Sequence, residues 1–70
     1  MTLYYFMQRL KKKYNVVGLY NAPKDIVELW FHFEHTSVYL QYSGSTIRDS
    51  TYKNALKQIE DDLKFYEEDK

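Results

Sequence analysis

The stretch Ile26-Val27-Glu28-Leu29-Trp30-Phe31-His32-Phe33 decides the fold of this chain. It is rich in β-branched and aromatic residues, and Val27, Leu29, Phe31 and Phe33 recur at every second position, the period of a half-buried strand. Glu34 to Ser37 read as a four-residue loop. Val38, Leu40 and Tyr42 then repeat the same alternation in a second strand. Such a loop pairs Phe33 with Val38, Phe31 with Leu40 and Leu29 with Tyr42, all facing one way. On the opposite face it pairs His32 with Tyr39 and Trp30 with Gln41.

Upstream, Val16 to Tyr20 read as a further strand, joined through the turn Asn21-Ala22-Pro23-Lys24-Asp25. Pro23 is pre-set for the first central position of that turn. If Tyr20 pairs with Ile26, Val17 and Leu19 point into the core, and Val16, Gly18 and Tyr20 join the other face. A slip of one residue would exchange the two sets, because side chains alternate along a strand.

The flanks read as helices. Leu3, Phe6, Met7, Leu10 and Tyr14 lie on one helical face, with Thr2 placed to cap its start and Asn15 to close it in the left-handed conformation. Ser43-Gly44-Ser45 reads as a break. Tyr52, Ala55, Leu56, Ile59, Leu63 and Tyr66 keep the same spacing in a second helix, capped by Asp49 or Ser50, with fraying expected at Glu67 to Lys70. The order is helix, three strands, helix. The expectation is one α+β domain over residues 1–70: two layers in αβββα order, a three-stranded antiparallel meander with two helices on one face. Leu29, Phe31, Leu40, Leu56, Ile59 and Leu63 are the expected core.

Composition narrows the classes. A chain of 70 residues without cysteine has no disulfide to hold it, and its apolar content of 44% must supply the core unaided. No apolar run reaches the roughly 18 residues of a membrane span. The positive charges of Met1 to Lys13 follow the apolar residues, the reverse of a signal peptide, so the expected location is cytoplasmic. Residues favoured by A/T-rich codons (Phe, Tyr, Met, Ile, Asn, Lys) number 28, against seven of Gly, Ala, Arg and Pro. That ratio suggests an A/T-rich genome, as in low-GC bacteria and their phages. The net charge of zero conceals +5 over residues 1–24 and −5 over residues 25–70. Such an asymmetry steers association, although Lys11 to Lys13 also suit a helix C-terminus.

Two surfaces stand out. With no third layer in the chain, the sheet face carrying Tyr20, Trp30, His32 and Tyr39 is expected to be open. Trp and Tyr are the residues enriched at binding hot spots. The second surface is the acidic helix. Glu60, Asp61 and Asp62 begin a set of six acids in the last twelve residues, opposed by Lys64 and Lys70. Helix stability would favour cations at that end, so a basic partner is one reason for acids there.

Enzymatic signals are absent. His32-Phe33-Glu34-His35 brings only two potential ligands to one face of a strand, too few for zinc, and no metal or other cofactor is expected. There is no cysteine nucleophile, no G-x-S-x-G elbow and no phosphate-binding glycine loop.

The element order resembles a double-stranded RNA-binding domain across nearly the whole chain. That family grips phosphates with a lysine-rich start to its second helix. The matching stretch Ser50-Thr51-Tyr52-Lys53-Asn54-Ala55-Leu56-Lys57 retains Lys53 and Lys57 and then runs into acids. In size, element order and exposed acids the chain is also similar to small phage-encoded inhibitors, notably some anti-CRISPR proteins of low-GC bacteria. That resemblance implies stoichiometric binding of a host nucleic-acid enzyme, such as a CRISPR effector, with Glu and Asp standing in for phosphates. The reading is therefore a small protein-binding inhibitor rather than an enzyme. The runner-up is a nucleic-acid-binding module that stacks bases on Tyr20, Trp30 and Tyr39 beside Arg9 and Lys11 to Lys13. A third reading is a structural subunit that forms a homodimer through the open sheet face.

Overall fold

A computed structural model describes residues 1–67. The elements follow as α1 (Leu3–Lys13), β1 (Val16–Asn21), β2 (Ile26–His32), β3 (Ser37–Ser43), α2 (Gly44–Arg48) and α3 (Tyr52–Glu67). The three strands form an antiparallel sheet in the order β1-β2-β3. The fold is α+β.

Thr2 caps α1 by accepting a hydrogen bond from the Tyr5 amide. Phe6 and Leu10 are its fully buried residues. Lys11, Lys12 and Lys13 occupy its last turn, where the helix dipole favours cations. The helix stops at Tyr14 in extended backbone (φ −132°), not at a left-handed Asn15. Among the described non-glycine residues only Asp25 has positive φ, at 52°.

One sheet face receives all three helices. Phe6 and Leu10 of α1, Ile47 of α2 and Ala55, Ile59 and Leu63 of α3 close over Val16, Val27, Leu29, Phe31, Val38 and Leu40. Tyr14 stands edge-on to Phe31, with centroids 5.6 Å apart at 87°. Leu56 is only partly buried, and Ala55 takes the enclosed place on α3.

The register differs from expectation in two ways. Between β2 and β3, Phe31 pairs with Val38, Leu29 with Leu40 and Trp30 with Tyr39, a shift of two positions. Phe33 lies outside the ladder and its amide donates to Thr36 O, closing a tighter loop. A shift of two preserves parity, so the faces of β2 and β3 are as expected. Between β1 and β2, Tyr20 pairs with Val27 and Asn21 with Ile26, a shift of one. That exchanges the faces of β1. Val16 is buried in the core, while Val17 and Leu19 are 50% and 57% exposed on the open face. Tyr20 lies on the helix side of the sheet, not on the open face. The cause is the turn. The Asp25 amide bonds to Ala22 O with Pro23 in the first central place, and Asp25 then turns left-handed. Asp is one of the few residues that enter this region at low cost.

A short helix, α2, occupies the stretch whose composition suggests a break. Ser43 caps it through Thr46 N, and Asp25 holds its start, with Asp25 O accepting from Gly44 N at 2.7 Å and Asp25 Oδ2 from Ser45 N at 2.9 Å. Asp49 closes α2 rather than opening α3. The start of α3 is capped by Thr51, whose hydroxyl accepts from Asn54 N at 3.2 Å. Residues 68–70, part of the expected fraying, lie outside the described residues.

Candidate functional site

Among the described residues, no element lies over the face of the sheet away from the helices. Its central row runs Val17, Trp30, Tyr39 across the three strands, because these residues are paired in the ladders. The Trp30 and Tyr39 rings pack 5.1 Å apart, tilted by 45°. Leu19, Glu28 and Gln41 form the next row, and Ile26 lies beyond it on β2. Tyr39 Oη lies 3.0 Å from Glu28 Oε1 and 3.2 Å from Gln41 Oε1. Desolvation beside Trp30, followed by the Glu28 carboxylate, raises the Tyr39 phenol above its ordinary value. The carboxylate of this face is thus held by a phenol. No Lys or Arg occupies the outward positions of the three strands. The surface is apolar and aromatic, with polar groups at its margin.

His32 sits at the exposed end of β2, paired with Ser37 across the ladder, its Nδ1 3.4 Å from Ser37 Oγ. His35 Nε2 lies 3.8 Å from Glu34 Oε1. Among the described residues no three His, Asp or Glu side chains converge on a point where a metal would bind.

Tyr20, Trp30 and Tyr39 do not form one platform. Tyr20 belongs to a different cluster, donating to Asp25 Oδ1 at 2.7 Å, while Arg48 Nη2 reaches the same oxygen at 3.0 Å. The Tyr20 hydrogen bond is the main cause of an Asp25 carboxyl held below its usual range, with Arg48 and the Ser45 amide adding to it. This cluster locks the β1–β2 turn to α2. Arg9 and Lys11 to Lys13 lie on α1, across the sheet from Trp30 and Tyr39. The basic groups and the outward aromatics do not meet.

The three acids of α3 separate as their consecutive positions require. Glu60 faces inward and accepts from Tyr14 Oη at 2.6 Å and Lys13 Nζ at 3.0 Å. The Tyr14 bond, then the Lys13 bond, lower its pKa. Asp62 accepts from the Tyr42 hydroxyl at one oxygen and from Gln58 Nε2, at 3.1 Å, at the other. Burial, then the Asp62 carboxylate, push the Tyr42 phenol far above its ordinary value. Two of the three acids therefore tie α3 to α1 and β3, and Asp61 alone faces solvent. The spacing of Tyr14 and Tyr42, the tyrosines that bind these acids, marks them only as apolar positions.

Val17 and Leu19 belong to the open face, although the alternation of β1 places them in the core. Both faces of β1 carry apolar residues, so alternation alone cannot choose between them. The available signal is Asp25, which follows the turn and can be left-handed. No family model, curated protein or solved structure matches the chain.

Proposed function

We propose that this chain is a protein-binding module whose docking surface is the open sheet face. The observation that carries the reading is the outward row of exposed Val17, half-buried Trp30 and exposed Tyr39, flanked by exposed Leu19 and lacking any Lys or Arg. Exposed apolar patches rimmed by polar groups mark interaction sites, and Trp and Tyr are the anchors such sites use. A phosphate backbone would find only the Glu28 carboxylate there. The narrower form is a phage-type stoichiometric inhibitor of a host nucleic-acid enzyme, such as a CRISPR effector. Size, build and composition support it. Of Glu60, Asp61 and Asp62, only Asp61 is left to contribute to it, since Glu60 and Asp62 have internal partners.

The test is capture of a partner from host lysate, followed by titration calorimetry. Trp30→Ala with Tyr39→Ala should weaken binding at least about tenfold, roughly 1.4 kcal/mol, while the fold survives. Unchanged affinity would reject the sheet face. Asp61→Lys tests the part of α3 in the narrower form, which requires a salt-sensitive loss of affinity; no loss removes Asp61 from it. The edge strands favour a second reading, self-association. β1 (Val16–Asn21) and β3 (Ser37–Ser43) contain neither a charge nor a proline, the usual guards against edge pairing. Sedimentation across a concentration series tests it, a constant monomer mass being the contrary result.

A further inference from the structure

We propose that the groove between α1 and α3 is a phosphate site for single-stranded nucleic acid, organised by Arg9. The groove has a volume of about 570 Å³ and is lined by Tyr5, Arg9, Lys12 and Lys13 of α1 and Tyr52 and Leu56 of α3. The Arg9 guanidinium lies over the Tyr52 ring, with Cζ 4.0 Å from its centroid, and Nη1 donates to Tyr5 Oη at 2.8 Å. These neutral groups fix the guanidinium without neutralising it. Arg48 and Lys13, by contrast, are each paired with a carboxylate at 3.0 Å. Among the described residues neither Arg9 nor Lys12 has an acidic partner.

A fixed guanidinium with free N–H donors suits bidentate binding of a phosphate, and little side-chain entropy remains to be lost. Lys12 lies three residues further, a rise of about 4.5 Å, and adds a second cation to the same groove. Leu56 and the half-exposed Tyr5 ring offer an apolar and aromatic surface on which a base can rest. A carboxylate peptide would use the cations but not the ring. The groove lies across the sheet from the Trp30–Tyr39 face, so the two surfaces can be occupied together, and this inference does not depend on the first.

The test uses fluorescence anisotropy with labelled dT and U oligomers of about twelve nucleotides, within the site sizes typical of such grooves. With about two cations engaged, the slope of log K against log salt should be about −1.4. Arg9→Lys, which keeps the charge but loses the planar fork, should weaken binding at least about fivefold. Lys12→Ala, at an exposed position that does not endanger the fold, should do the same. Lys11→Ala removes the same charge from the neighbouring position, but Lys11 lines a different groove with Met7, Gly18 and Leu19. Its effect should stay below about twofold. Trp30→Ala with Tyr39→Ala should change nothing. Equal losses from Lys11→Ala and Lys12→Ala would reduce the effect to diffuse charge and overturn the site. So would binding of a polyglutamate peptide as tight as that of the oligomers, or no binding of the unmodified protein at about 50 mM salt.

Discussion

Gly44 has no room for a side chain. A Cβ there would lie 2.3 Å from Asp25 Oδ1 and 3.0 Å from a Tyr20 ring carbon. Asp25 cannot retreat, being held by Tyr20, Arg48 and the Ser45 amide. A Cβ at Gly18 is equally crowded, at 2.3 Å, but by the terminal methyl of Met7, which can swing aside. Gly44→Ala is therefore expected to cost about 1–3 kcal/mol, and Gly18→Ala less than about 1 kcal/mol. Thermal melts distinguish the two, since about 1 kcal/mol moves the midpoint of so small a domain by roughly 4–8 °C. Equal shifts would mean that the Asp25 cluster yields as easily as a methionine. Glu60 makes a second prediction. Its pKa is lowered in the folded state, so its stabilisation is present above the ordinary carboxylate range and is lost as pH falls through the folded value. Melting temperature should drop from about pH 5 toward pH 3, Asp25 contributing in the same sense. Glu60→Gln should lie below the unmodified protein at neutral pH and converge with it in acid. Parallel curves would show that the Tyr14–Glu60–Lys13 contact contributes nothing.

Among the elements, β2, β3 and the two long helices are legible in the sequence because one apolar period dominates each. β1 is not, since Val16, Gly18 and Tyr20 on one face compete with Val17 and Leu19 on the other. Its register rests on one left-handed residue, Asp25. α2 is hidden because Ser43-Gly44-Ser45 carries the composition of a turn, whereas Ser43 caps a helix that Asp25 completes from a distance of 20 positions. The acids of α3 are visible, but their tyrosine partners are remote in sequence and carry no local mark. The packing of α3 can be tested. Ile59 is fully enclosed, so Ile59→Ala should cost about 2–5 kcal/mol and unfold most of so small a domain. Leu56→Ala, at the groove edge, should cost clearly less. Equal damage from the two would mean that α3 turns a different face to the sheet.

At the scale of the molecule, the open face is large enough to bind but not to bind strongly by itself. Three strands of six or seven residues span roughly 14 by 23 Å, or about 320 Å² in plan. A standard interface buries about 800 Å² per partner. A stable complex must therefore extend past the sheet onto its edges or neighbouring loops, and a partner confined to the face would bind transiently. The uncharged edges β1 and β3 are the natural extension. Trp30 is the only tryptophan of the chain and stands at the centre of this face, so its fluorescence reports on the face alone. Acrylamide quenching of the dilute protein is the decisive experiment. Trp30, half-buried beside the Tyr39 ring, should be quenched at an intermediate rate and should become protected as a partner or a second copy docks. Quenching as slow in the dilute monomer as that of an enclosed core tryptophan would contradict the open face and the docking function built on it.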